Sequence, residues 1–509
     1  MTISEARIWR RKIRGVLLLA AKGTPARKRQ QSQSHSPSLS PSPTTPIYPH
    51  HQDDEEGSTR FYANERAIRE EDEEFISPLS KADWVITIKE KLDHVPLCRG
   101  SNSWLNHCIF RVPRNLREIE PKAYIPQIVS IGPYHRGKSC LRDMERHKWR
   151  LLRHLLERTG HTLELYLEAM AELEEQARQS YSIQSIDIVS RDFIEMMLLD
   201  ACFILELLRV SVKGFIYCGY SWGDPIFSSR GALPCIQRDL LMLENQLPLF
   251  VLDRLFALSC EPDETESVSQ LALQFFDSVI HGCKDATLNT DEPGLHFLHV
   301  IRQSLIPASL STLGCVTIKQ NHQPQLMMHC VTWLRGSGLK FQKKNTSNFT
   351  DIEFNKGVLY IPRLVIHDST KSIFLNLMAF EQCYPHCSNH VTSYISFMDG
   401  LINSPRDVAY LRHRRIIDHG LGSEEEVADL FNNLCKEISF DINDCYLSKV
   451  SSDVNRYFDK KWNRWRASLK QEYFSNPWAI VSLLAAVCLI VLTVAQTFYS
   501  IYGYYSPLP

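Results

Sequence analysis

Acid is nearly missing from the start of this chain, and charge of either sign is missing from its end. Between Met1 and Gln52 the only acidic residue is Glu5, and from Asn476 to Pro509 there is no charged residue at all. A net charge is also missing: the 509 residues sum to −1, so no polyanion-binding surplus marks nucleic acid as a partner. The fifteen cysteines include no C-x-x-C pair and no compact cluster. That excludes a secreted disulfide scaffold and fits reduced thiols in a cytosolic setting. No strand–helix–strand alternation is apparent, which argues against a parallel doubly wound sheet, and no internal repeat is apparent either.

What is present falls into three parts. Residues 1–80 read as a leader that is basic, then Ser/Pro-rich (SQSHSPSLSPSPTTPIYP), then acidic (DDEE, EEDEE). Its Arg-rich, acid-poor opening is compatible with a disordered leader or with an organelle transit peptide. Its Ser-Pro and Thr-Pro steps are potential phosphate acceptors. Residues 81–474 read as a globular, mainly α domain with a minor β element. LRDMERHKWRLLRHLLER carries Leu141, Met144, Leu152 and Leu155 near one stripe, and RDFIEMMLLDACFILELLRV is apolar almost all round, as a buried helix is. QRDLLMLENQLPLFVLDRLFAL continues the pattern, with Pro248 kinking or splitting it. SVSQLALQFFDSVI and EEEVADLFNNLCKEI are shorter amphipathic helices, the second capped by Ser423 with Glu426 three residues on. KGFIYC, GLKFQ and VLYIPRLVI read as strands. Residues 475–505 hold the third part: Ala479 to Ile501 supplies about the 20 apolar residues needed to cross a bilayer. Trp478 lies at one end and Tyr499, Tyr502, Tyr504 and Tyr505 at the other, as in an aromatic belt. Lys460, Lys461, Arg464, Arg466 and Lys470 precede the span, which puts the large domain on the cytosolic side of a single-pass tail anchor. The adjacent sequons at Asn345 and Asn348 bear glycans only under the opposite orientation.

Four patterns raise chemistry. GPYHRGKS, Gly132 to Ser139, spells the phosphate-cradling G-x-x-x-x-G-K-S, and MMLLD ends in Asp200 where a metal-holding aspartate belongs. On that reading Lys138 takes the β/γ-phosphates and Ser139 the metal. Against it stand the bulk of Pro133, Tyr134, His135 and Arg136, Pro126 in the preceding segment, and a helical pattern around Asp200. GYSWG, Gly219 to Gly223, matches the nucleophile elbow around Ser221, but Asp224-Pro225 follows where a helix must begin. CYPHCSNH gathers Cys383, His386, Cys387 and His390, a set zinc accepts, although structural zinc sites draw two ligand pairs from separated segments. His147, His154 and His161 recur every seven residues along one helix face. The balance favours no catalytic, cofactor-binding or metal residue.

Longer blocks carry a resemblance. FRVPRNLREIEPKAYIPQIVSIGPYHRGKSCLRDMERHKWRLL, MMLLDACFILELLR, DLLMLENQLPLFVL, the block from LYIPRLVIHD to INSPRDV, and the terminal WNRWRASLKQEYFSNPWAIVSLLAAVCLIVLTVAQTFYS resemble, in order, the plant family called domain of unknown function 247. The likeness runs from about Ile109 to Tyr505, with Ala201, commonly Gly in the family, and the long leader as departures. It implies a plant membrane protein, usually at the plasma membrane, with no established enzymatic activity and no catalytic residues to carry over. Some family members act in pollen–stigma recognition in grasses. The expectation is therefore a membrane-anchored interaction or signalling protein with a protein partner and the lipid bilayer, no nucleic acid and no cofactor. The alternative is a nucleotide hydrolase using Lys138 and Asp200, or a serine hydrolase using Ser221.

Overall fold

The computed structural model describes residues 85–90, 107–182, 186–261, 264–284, 294–306, 328–346, 348–436, 445–460, 465 and 477–505. The leader expected over 1–80, both expected domain boundaries, and Lys461, Arg464, Arg466 and Lys470 lie outside these residues. The chain divides after Cys98, and residues 85–90 of the first unit form an exposed helical turn.

The second unit is built around one long helix. Helix α1 spans Arg114–Ile119, α2 Arg142–Thr159, α3 Leu163–Gln179 and α4 Ser190–Lys213. Every residue of α4 from Met196 to Arg209 is buried, because α2, α3, α6 (Leu249–Ser259) and α7 (Val268–Phe276) all pack against it. A helix so enclosed needs an apolar circumference, which is what RDFIEMMLLDACFILELLRV provides. The stripe on α2 includes Met144, Leu151, Leu152 and Leu155, and one lysine, Lys148, shares it. α2 stops at Gly160, whose left-handed φ of 66° lets its N–H bond to Leu156 O. Pro248 splits the next apolar run: α5 covers Ala232–Leu240, Pro248 caps α6, and residues 241–247 between them are irregular yet buried. Ser267 and Gln270 form a reciprocal capping box at the start of α7.

Seven further helices follow among the described residues before the last one. These are α8 (Phe297–Leu305), α9 (Val331–Gly336), α10 (Thr370–Cys383), α11 (His390–Leu401), α12 (Pro405–His413), α13 (Glu424–Leu434) and α14 (Ser448–Phe458). α10 packs on α8, α11, α13 and the 3-10 turn Pro121–Tyr124, joining these helices to the N-terminal segment. Ser423 caps α13 by accepting from the Glu426 N–H at 3.3 Å, while Glu426 reaches back to the Gly422 N–H at 3.2 Å.

The β element consists of β1 (Lys340–Lys344), β2 (Glu353–Asn355), β3 (Val358–Pro362), β4 (Leu364–Ile366) and β5 (Ile417–His419). β3 is central, parallel to β1 and antiparallel to β2, and β4 pairs in parallel with β5. VLYIPRLVI, read as one stretch, is thus two strands in different sheets; the ladder of β3 ends at Pro362, which has no N–H to continue it. The strand expected at KGFIYC is not there. α4 runs on to Lys213, Gly214 turns the chain at φ 83°, and residues 215–220 close local bonds such as Tyr220 N–H to Phe215 O.

The last helix, α15, spans Pro477–Tyr505, and its stretch Leu484–Tyr502 is long and apolar enough to cross a membrane. None of that stretch is buried against the rest of the chain.

Candidate functional site

Two irregular segments meet inside the helical unit: residues 125–138, which carry GPYHR and the following GK, and residues 241–248, which carry MLENQLP. Buried irregular chain must find hydrogen-bond partners for its backbone without a helix or sheet to supply them. Side chains supply them here. Asp239 Oδ2 accepts from the N–H groups of Gln127, Ile128 and Val129 at 2.9, 2.7 and 3.2 Å. Asn245 accepts from Ile131 N–H at 2.7 Å and donates to the carbonyls of Val129 and Asp239 at 3.0 Å. Gln246 donates to the carbonyls of Leu240 and Met242, and Asn376 on α10 accepts from Leu243 N–H at 2.8 Å.

Gly132, the first glycine of the phosphate-loop spelling, donates its N–H to Asp200 Oδ2 at 2.8 Å. Asp200 lies mid-way along α4, and its other oxygen accepts from Lys148 Nζ at 2.6 Å. Lys148 also donates to Ser130 O and Glu145 Oε1 at 2.6 Å, so the lysine in the apolar stripe of α2 is fully engaged. Gly132 sits at φ 69°, and a Cβ there would fall 2.7 Å from Gln246 O and 2.9 Å from the Tyr181 hydroxyl. The sequence pairing of Gly132 and Asp200 is therefore real, but its chemistry differs from a nucleotide site. The Gly132 N–H faces the protein's own Asp200 carboxylate, and the cation on Asp200 is Lys148.

Lys138 Nζ donates to His135 Nδ1 at 2.6 Å, which leaves the ring proton on Nε2, 3.5 Å from Glu244 Oε2. The other oxygen of Glu244 accepts from Val112 N–H at 2.7 Å and from the Arg117 guanidinium. His135 is held far below the ordinary histidine range, at about 3, by burial and by the charges of Lys138, Arg111 and Arg117. Burial raises the Asp200 carboxyl against the pull of Lys148, and raises Asp239 against its three N–H donors. After Lys138 the chain makes a 3-10 turn, Ser139–Leu141, before α2 begins. Chemically the assembly is a polar knot that ties two loops to α2, α4 and α10, with His135 Nε2 and Glu244 Oε2 buried in it without a hydrogen bond.

The other motifs do not converge. Ser221 is exposed on a turn with turns before it and no helix until Ala232, so the strand–nucleophile–helix elbow is absent. Cys383 ends α10 and His390 begins α11, with turns between. Burial pushes the Cys383 thiol up to about 11 and the Cys387 thiol to about 12, and Cys387 Sγ donates to Tyr384 O. His386 meets Tyr384 edge-on and His390 bonds to Ser388 Oγ. Among the described residues no group of three or more His, Cys, Asp or Glu is placed to hold a metal ion. His154 donates to Cys218 O at 2.7 Å and His161 bonds to Tyr166, so these two histidines of the heptad spacing serve separate partners. Asn348 accepts from both N–H and hydroxyl of Thr350, whose side chain is buried.

Lys148, Asp239, Glu244, Asn245 and Gln246 were not evident as a group from sequence. One signal was available: Glu-Asn-Gln stands as three consecutive polar residues inside LLMLENQLPLF, and all three are buried.

Comparison with known proteins bears on the whole of this architecture. Residues 109–492 match DUF247, described as a plant protein of unknown function. The UPF0481 protein At3g47200 of Arabidopsis thaliana is 33% identical over 421 residues, covering 78% of this chain and 87% of its own length. A second UPF0481 protein of that plant, At3g02645, is 25% identical over 517 residues, covering 82% of this chain and 94% of its own. No solved structure matches the chain. The matched region contains the α4 core, both knotted loops and most of α15, and the chain belongs to the plant DUF247 family.

Proposed function

We propose that this is a membrane-anchored interaction or signalling protein without catalytic activity, in which α15 spans the bilayer and the helical unit is presented to a protein partner. The observation that carries this reading is α15: 29 residues without a charge, and none of its Leu484–Tyr502 stretch buried against the chain. Exposing that much apolar surface to water is unfavourable at about 25 cal/mol per Å², and a hydrocarbon core removes the cost. The basic residues Lys460 to Lys470 before the helix favour the cytosolic side for the helical unit. The family resemblance favours the plasma membrane. The near-zero net charge supports no nucleic acid partner.

The polar knot supports the non-catalytic part of the reading, since Asp200 and Asp239 are spent on the N–H groups of Gly132, Gln127, Ile128 and Val129. Alkaline carbonate extraction of membranes carrying the full chain tests the anchor: the chain stays in the pellet, and a form ending before Pro477 does not. Release of the full chain would overturn the reading. Protease added to vesicles with the cytosolic face outward digests the helical unit; complete protection would reverse the orientation. Nucleotide binding abolished by Lys138→Ala, or fluorophosphonate labelling at Ser221, would restore one of the enzymatic alternatives.

A further inference from the structure

We propose that the excursion from Gly214 to Gly231, between α4 and α5, is a second membrane contact, an aromatic tip that rests in the headgroup interface of the bilayer. This rests on α15 being the anchor. Tyr217 and Trp222 are 89% and 79% exposed, with Ile216 beside them and Val212 and Leu233 exposed on the flanking helices. Phe215 supports Trp222 edge-on, with ring centroids 5.6 Å apart. Contiguous exposed apolar residues of this size mark an interaction surface.

The excursion is held in this shape rather than left to collapse. Tyr220 and Ile226 are buried, and the Tyr220 hydroxyl donates to Glu206 Oε2 at 2.8 Å. His154 donates to Cys218 O, and Gly219, at φ 84°, lets that histidine approach to 3.2 Å of where a Cβ would stand. Buried Tyr220 and Ile226, with partly buried Phe227 against the Tyr220 ring, root the segment, while the rings of Tyr217 and Trp222 are exposed to solvent.

Charge selects the occupant. From Gly214 to Gly231 the only acid is Asp224, which is buried, pairs with Arg150, and accepts from the N–H groups of Ile226 and Phe227. No acid of the excursion faces outward and exposed Arg230 stands at its end, whereas Lys213 at its start is paired with Glu261 and Glu264. Trp and Tyr favour the membrane–water boundary, and a flanking cation favours anionic headgroups. The connection from Asp459 to Asn476 is eighteen residues long, a reach of at most ~60 Å, so an anchored unit stays at high effective concentration over the membrane. A weak interfacial affinity is then enough.

The test uses the full chain in nanodiscs of phosphatidylcholine and phosphatidylserine carrying a diazirine lipid activated just below the headgroups. Trypsin releases Gly214–Arg230 as one peptide and Gln471–Pro509 as another. We expect lipid adducts on both, and a several-fold loss from the first peptide alone in Tyr217→Ser/Trp222→Ser. Adducts on Gln471–Pro509 with none on Gly214–Arg230 would overturn this inference and leave the anchor standing. Absence from both would overturn the anchor itself. Unchanged labelling of the first peptide in the double variant, with a circular dichroism spectrum like the parent's, would also overturn the aromatic tip.

Discussion

Residues 125–138 and the excursion 214–231 each contain a glycine-bounded motif match, and the fold places them in opposite conditions. The first turns its polar chemistry inward: Gly132 is buried, its N–H is taken by Asp200, and His135 and Glu244 are enclosed. The second turns its one acid inward and two aromatic rings outward. A motif specifies residue types at a spacing, whereas chemistry depends on which donors and acceptors remain open after folding. In the first segment the protein has answered its own loop, and a ligand finds no unsatisfied N–H of Gln127, Ile128, Val129, Ile131 or Gly132. In the second an apolar surface is left over.

The largest effect expected comes from breaking the inward side of that contrast. Lys148→Ala leaves the Asp200 carboxylate buried with Gly132 N–H as its remaining partner among the contacts above, a loss of about 3–5 kcal/mol in unfolding free energy. Denaturation of the full chain in detergent, followed by circular dichroism, measures it. Pairing Lys148→Met with Asp200→Asn removes both charges, keeps an acceptor for Gly132, and should recover most of the loss. A cost below about 1 kcal/mol for the single change would show that Lys148 does not hold the Asp200 charge in the fold.

Gly132→Ala attacks the same loop through the backbone. It combines a left-handed φ of 69° with a Cβ contact of 2.7 Å to a carbonyl, and should cost about 2–3 kcal/mol. By contrast Gly137 has φ 82° but open space around a Cβ, so Gly137→Ala should cost only the conformational share, about 1 kcal/mol. Equal effects at the two glycines would remove the argument that Gln246 and Tyr181 press on Gly132.

Acid sharpens the comparison further. His135 has a folded value of about 3 against an ordinary 6.5, so between those values the unfolded chain binds a proton that the folded chain does not. Its contribution to stability is full above pH 6.5 and falls as the pH drops toward 3. His135→Gln should flatten the stability–pH slope by about 1.4 kcal/mol per pH unit near pH 5. His296, also lowered to about 3 by burial, should behave alike, whereas no histidine lies in the excursion. An unchanged slope in His135→Gln would mean that the ring is already charged in the fold.

The parts legible in the sequence were those governed by local periodicity. Apolar residues around the whole of α4, the break at Pro248 and the Ser423 cap each follow from neighbours within a few positions. KGFIYC was misread because its β-branched and aromatic content fits a strand, while the contacts that decide it, Tyr220 to Glu206 and His154 to Cys218, are tertiary. The knot was illegible for the same reason: Asp239 meets residues about 110 positions away, and Gly132 meets Asp200 across 68. Lys148 in the apolar stripe of α2 and Glu-Asn-Gln in a buried run announced that partners exist without naming them.

The smallest stability effect belongs to the outward side. Tyr217 and Trp222 lose little burial when replaced by serine, and the Phe215–Trp222 edge contact is the main packing at stake. Tyr217→Ser/Trp222→Ser should therefore change the unfolding free energy in detergent by no more than about 0.5 kcal/mol. Tyr220→Ser, three residues from Tyr217, should cost several times more, because it strips the buried Glu206 carboxylate of a donor and opens a void against His154 and Phe227. The pair of results separates rooting aromatics from presenting ones. If the double variant destabilised the fold as much as Tyr220→Ser, the exposed rings would be structural, and their outward position would need no partner to explain it.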